Sequence, residues 1–273
     1  MNGAKPRERM EKVLARVARE QGLDQERLRR WVSFLALCGA LDRATHTRIL
    51  TGYYLKGGVA MELRFAEDAR ATKDLDVGIE GTRADRFRAL REALTTGFDE
   101  FTFRIKAQTR DMEEADTVRV QVAIQYRTRA WQTIAVDLGP AKAAQVDLIE
   151  PRVRGLVELG IRLVSPIRCL NLAEQVAQKL HACTGAAAAG RARDVLDILL
   201  IDTLGQLNYA AAADAARRVF AERATHPFPP TFAMPPEWEP QLEAMAHELG
   251  FALTRAAEIE RRFLQLIQML DQT

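Results

Sequence analysis

Apolar side chains recur every three or four residues over 5–21 (Val13, Leu14, Val17) and over 24–41 (Leu28, Trp31, Val32, Leu35), the spacing of a helix with one buried face. Gly22 separates the two stretches, and Asp24 is placed to cap the second. From residue 52 the period changes. GYYLKGG is a short apolar run closed by a glycine pair, VAMELRFAE returns to helical spacing, and ATKDLDVGIE alternates around Leu75, Val77 and Ile79. The pattern predicts strand, glycine turn, helix, strand. Residues 83–96 read as a helix, and FDEFTFRIKAQ, TVRVQVAIQY and AWQTIAVDLG read as three strands rich in β-branched and aromatic side chains. A mixed sheet with an antiparallel part is expected.

Beyond about residue 165 the alternation stops, and helix formers dominate in RCLNLAEQVAQKLHACTG, RARDVLDILLIDTLG, YAAAADAARRVFAER, EPQLEAMAHELG and FALTRAAEIERRFLQLIQML. Six of the ten prolines fall in 226–240, which predicts a long ordered loop or a lid rather than regular structure. The run Ala186 to Ala189, between Gly185 and Gly190, predicts a flexible turn. The expected fold class is α+β. Leading helices and a mixed-sheet core occupy 1–164, and a helical C-terminal domain occupies 165–273.

Composition narrows the class of function. With 273 residues, 48% of them hydrophobic and 28% charged, the chain can bury a sizeable core, and collagen-like, coiled-coil-only and disordered readings are disfavoured. No run of 18 apolar residues occurs, and the first residues, MNGAKPRERMEK, precede no apolar segment, so a cytoplasmic protein without a membrane span is expected. The formal charge of +2 excludes the global field of a nucleic-acid coat, although Arg greatly outnumbers Lys among the 39 cations and a local basic face remains open. Cys38, Cys169 and Cys183 form no CxxC pair, and His46, His181, His226 and His247 have no ligand spacing, so neither a disulfide framework nor a zinc site is expected.

The candidate chemistry lies in Asp74-Leu75-Asp76. On a strand, residues i and i+2 project from one face, so two carboxylates stand side by side and repel unless a cation lies between them. Mg²⁺ takes oxygen ligands of this kind and leaves room for substrate phosphates. Upstream, Gly57 and Gly58 open a predicted helix, where backbone N–H groups favour phosphate. Asp137 ends the strand 133–138 and is a third carboxylate that a neighbouring strand can bring to the pair. Singly, these are an exposed strand end, a tight turn and a turn-forming aspartate; together they suggest two-metal phosphoryl or nucleotidyl transfer. Lys56 and Lys73 are expected on the opposite face or at the rim, and Arg70 either near a phosphate or on the surface.

The segment YYLKGGVAMELRFAEDARATKDLDVGIEG resembles the signature of the AbiEii/AbiGii toxin family, nucleotidyltransferases of the DNA polymerase β-like superfamily. It carries an aliphatic-Lys-Gly-Gly opening, a helix of small apolar residues and an Arg-x-Thr-x-Asp-x-Asp close. A later segment, AEQVAQKLHACTGAAAAGRARDVLDILLI, is similar to the family's second block, a Lys on one helix and an Arg-Asp pair opening the next. The two blocks place the resemblance over about residues 50–205.

The resemblance implies a nucleotidyltransferase core in which Gly57 and Gly58 cradle a nucleoside triphosphate. Asp74 and Asp76 hold Mg²⁺, and Asp137 completes a site for two ions and takes the proton of the attacking hydroxyl. Lys179 contacts nucleotide phosphates, and Asp194 orients it or the substrate. Gly58 stands where the wider superfamily often has Ser, so backbone N–H groups must do the work of the missing hydroxyl. The resemblance further implies a type IV toxin–antitoxin or abortive-infection toxin whose acceptor is a tRNA 3′ end or another RNA, with a cognate antitoxin that need not touch it. Two other functions compete: adenylylation of a small amino sugar, and a non-catalytic nucleotide-binding interaction module. The three carboxylates disfavour the module, because a lapsed enzyme has no physical reason to keep acidic groups together.

Overall fold

Side-chain alternation builds the sheet. The computed structural model describes residues 6–112, 116–143, 145–152, 159, 161, 166–186 and 188–273. Among the described residues seven strands, Tyr53–Lys56 (β1), Asp74–Ile79 (β2), Phe101–Met112 (β3), Thr117–Tyr126 (β4), Arg129–Pro140 (β5), Val146–Ile149 (β6) and Ile167–Leu170 (β7), form one sheet in the order β3-β4-β5-β2-β1-β7-β6. β1 and β2 are antiparallel, as are β3 with β4 and β4 with β5; β2 with β5 and β1 with β7 are parallel. The sheet is mixed, as the sequence predicts. The short strands β6 and β7 escape that reading, because four residues are too few to show a period, and β7 opens the stretch read as helical.

The chain divides into two compact units, the first holding Met1–Ala66, Ala71–Lys142 and Val146–Cys169, the second Glu67–Arg70, Ala143–Gln145 and Leu170–Thr273. In the first unit, Leu55, Leu75, Val77, Ile79, Val118, Val120, Val122, Val136 and Leu138 point to one face and join a single core with the helices Pro6–Gln21 (α1), Gln25–His46 (α2) and Arg83–Thr95 (α4). Leu14, Val17 and Ala18 bury the stripe predicted for α1. The Asp24 side chain caps α2 by accepting from the Arg27 N–H at 2.6 Å, and Trp31 to Leu41 is buried on every side, so α2 is the central helix of this unit. Thr82 and Asp85 close a reciprocal capping box at the start of α4.

Gly57–Phe65 (α3) follows β1 directly. Its Glu62 is buried and accepts from Arg27 Nε at 2.8 Å, Trp31 Nε1 at 3.0 Å and the Thr72 backbone N–H at 3.1 Å. Burial raises the carboxyl's pKa against the opposing pull of Arg27 and the other donors. This knot fixes α3 and the residues that lead into β2 on α2, and so sets where Asp74 and Asp76 begin.

The second unit is helical: Leu172–Thr184 (α5), Ala192–Leu204 (α6), Tyr209–Arg223 (α7), a 3-10 turn at Pro236–Trp238, Glu239–Glu248 (α8) and Ala256–Gln272 (α9). Asn171 and Asn208 cap α5 and α7 through their side chains. Ala215 and Ala216 on α7 pack against Ala177 of α5, small residues that allow close approach. The proline-rich stretch is an ordered strap: Phe228 packs on Phe220, Phe232 on Phe263 and Trp238, and the Met234 N–H donates to Glu260 at 2.7 Å. Among the described residues no helix is long and apolar enough to cross a membrane.

Candidate active site

The sheet's second face is polar, and strand register decides which of its side chains meet. Asp76 pairs with Asp137 across β2 and β5, Lys56 with Asp76 across β1 and β2, and Arg119 with Asp137 across β4 and β5. Cross-strand partners project to the same face, so Lys56, Asp76, Asp137 and Arg119 form one row, with Asp74 one step along β2. The sequence-predicted trio of carboxylates is thus brought together. Lys56 is a correction: it lies on the carboxylate face rather than opposite it, because antiparallel pairing sets it directly across from Asp76. Its Nζ reaches over Gly139, where an added Cβ would approach it to 2.5 Å.

Arg119 was not singled out from sequence, yet it organises the row. Its Nε donates to Asp137 Oδ1 at 2.7 Å, and one terminal nitrogen donates to Asp137 Oδ2 at 2.6 Å and to Asp74 Oδ2 at 3.0 Å. The hydrogen bonds to Asp137 raise the guanidinium's pKa against desolvation, with the charges of Asp137, Asp74 and Asp76 adding to the effect. Only its position opposite Asp137 reveals Arg119, and position depends on register, which composition does not carry.

Gly57 and Gly58 begin α3 beside this row. Gly57 has φ +63°, and a Cβ there would lie 2.0 Å from Asp76 Oδ2; one on Gly58 would lie 2.8 Å from Thr72 Cβ and Oγ1. The pair is required by the close approach of Asp76 and Thr72 as well as by the turn. First-turn N–H groups of a helix point out of its end, which suits an anion.

In the helical unit, Lys179 is buried and donates to Asp194 Oδ1 and Asp197 Oδ2, each at 2.7 Å. Arg70 grips the same Asp197 with two bonds of 3.0 Å, and Arg191 approaches Asp194 at 3.5 Å. Burial pulls the Lys179 pKa down, but Asp197 and Asp194 outweigh it and the net shift is upward. Burial pushes Asp197 up, and Lys179 with Arg70 bring it below its ordinary value. Lys179 and Asp194 are brought together as the sequence expectation paired them. Asp197 was missed because DVLDILLID reads as an apolar helix, and Arg70 is tied to it rather than free on the surface.

A profile of the nucleotidyl transferase AbiEii toxin of type IV toxin–antitoxin systems matches residues 39–268. The chain belongs to the AbiEii family. It is accordingly a nucleotidyltransferase toxin, and the family brings with it a nucleoside triphosphate substrate and an antitoxin partner. No curated protein matches the chain significantly. Among solved structures, MenT4, a nucleotidyltransferase toxin of Mycobacterium tuberculosis H37Rv, is similar in fold with a TM-score of 0.60 at 15% identity, covering 96% of this chain and 90% of its own. The antibiotic-resistance factor ANT(2'')-Ia follows at a TM-score of 0.42 and 16% identity, over 71% of this chain and 94% of its own.

The AbiEii family generally uses a divalent metal, and the donor set of this chain suits one. All three side chains are hard carboxylate oxygens, and the Arg119 guanidinium shows that a cation is accommodated between Asp74 and Asp137. As the side chains stand, no three described His, Cys, Asp or Glu residues surround a single point, since Arg119 lies between two of the carboxylates.

Proposed function

We propose that this AbiEii protein transfers a nucleoside monophosphate from an NTP to an RNA hydroxyl, preferentially a tRNA 3′ end, with two Mg²⁺ ions. The observation that supports this most is the row of the half-buried Asp74 and Asp76 and the buried Asp137 on one sheet face beside the glycine-opened α3. In this reading Asp74, Asp76 and Asp137 hold the metal, which when bound stabilises the attacking and leaving oxygens of an in-line displacement. The Gly57 and Gly58 N–H groups bind the triphosphate. The Asp137 carboxylate takes the proton of the attacking hydroxyl. Lys179, held by Asp194 and Asp197, takes the phosphate-binding role that the family resemblance gives it, with Asp194 orienting the ammonium. Acting on tRNA places the enzyme in the cytoplasm.

The test is incubation of the purified protein with total bacterial tRNA, Mg²⁺ and each α-labelled NTP in turn, with EDTA and Asp74→Ala as controls. Label on tRNA that both controls abolish supports the reading and identifies the nucleotide. Absence of label on tRNA with every NTP contradicts the RNA acceptor, and transfer that persists in Asp74→Ala contradicts the assignment of the carboxylates.

A further inference from the structure

One guanidinium occupies both oxygens of Asp137 and one of Asp74, the carboxylates that a metal needs. Three acidic side chains share this face, and Arg119 and Lys56 are the cations that the strand register sets among them. An arginine keeps its charge at any working pH, so the pairing is not undone by loss of a proton. It yields only to a competing cation on the carboxylates, and the displaced guanidinium then needs another anion. A divalent ion alone meets the first requirement and not the second. A metal that arrives with a triphosphate meets both, because phosphate oxygens accept the same two-pronged bond that Asp137 accepts.

We propose that Arg119 is a built-in counter-cation that makes metal binding depend on the nucleotide: it holds Asp74 and Asp137 until a triphosphate, arriving with the divalent ion, takes over the guanidinium. This rests on the reading of Asp74, Asp76 and Asp137 as metal ligands. In the metal-free protein Arg119 keeps the carboxylates from repelling one another, and in the loaded protein it grips the phosphates. Arg119 is thus a positioning residue that links occupancy of two ligands.

The experiment titrates the intact chain with Mn²⁺, following the free ion by EPR, with and without a mixture of the four α,β-methylene NTPs. The wild-type protein binds Mn²⁺ weakly alone and more tightly with the analogues. Arg119→Gln binds Mn²⁺ alone about tenfold tighter than wild type, the effect of removing one charge-assisted competitor, and its gain from the analogues shrinks. Its melting temperature in EDTA falls and recovers with Mn²⁺. Arg119→Lys, which keeps the charge and loses the fork, lies between the two and serves if Arg119→Gln does not fold. Unchanged or weaker Mn²⁺ binding in the Arg119 variants overturns the proposal and makes Arg119 a fixed strut for Asp137. If Asp76→Asn binds Mn²⁺ as well as wild type does, the metal-ligand reading itself falls, and the proposal with it.

Discussion

Carboxylates and cations meet in both units of this AbiEii protein, more exposed in one than in the other. On the sheet, the side chains of Asp74 and Arg119 remain 40% and 36% exposed, while Asp137 keeps only 10%. Among the helices, Lys179 and Asp197 retain 10% and 1%. A half-exposed ion pair gains little in stability and exchanges partners readily, because water and salt screen it. A buried pair is costly to form and costlier to break, since removing one partner strands a charge in a low-dielectric interior. On the sheet the Asp74 carboxylate is therefore suited to being handed to a ligand, and the helical cluster to holding one ammonium in a fixed place.

The largest expected effect breaks the closed cluster. Lys179→Met leaves Asp194 and Asp197 without their shared ammonium and lowers the unfolding free energy by about 3–5 kcal/mol, read by urea denaturation. A loss below about 1 kcal/mol would show that the helical cluster is as open as the sheet row.

A second polar chain, buried at His181 and exposed at Arg223 and Thr225, lies between the two cases. Arg223 can only donate, so His181 Nδ1 must accept at 3.1 Å; His181 Nε2 then lies 2.9 Å from Thr225 Oγ1, which lies 2.9 Å from His226 Nδ1. Burial, then the charges of Arg223 and His226, lower the His181 pKa from 6.5 to about 4. The unfolded chain takes up this proton first as the pH falls. Stability from this group is thus complete above pH 6.5, declines towards pH 4 and then levels. Denaturation across that range should show the decline in wild type and a smaller one in His181→Gln, where His226, also held below its ordinary value by burial, remains.

Gly57→Ala probes the open side. A side chain at φ +63° costs about 1–2 kcal/mol, and the added Cβ must displace the Asp76 carboxylate, so nucleotidyl transfer falls more than stability does. Retention of full transfer would separate the Asp76 position from the chemistry.

These contrasts mark what the sequence could carry. Alternation around Leu75 and Val77 sufficed to set Asp74 and Asp76 on one face, since a strand's period is local. Lys179 and Asp194 were paired only by the resemblance of their segment to the family's second block, since neither helical pattern says which of its faces meets the other. Arg119 and Lys56 were hidden because their neighbours are chosen by cross-strand register, a property of strands far apart in the chain. Asp197 was hidden for another reason: a buried carboxylate is announced only by its partners, Lys179 and Arg70, and these come from two other segments. The glycine pair was visible as a turn, while the contacts that demand it, Asp76 and Thr72, appear only once β2 lies beside α3.

The measurement that bears most directly on the account compares Asp76→Asn with wild type in two assays on the same preparation, label transfer from NTP and urea denaturation. Loss of the charge with its shape kept should lower transfer at least about a hundredfold while unfolding free energy stays within about 0.5 kcal/mol, if the row serves chemistry rather than folding as proposed. Transfer at the wild-type rate, or a large loss of stability with transfer per folded molecule intact, would contradict it.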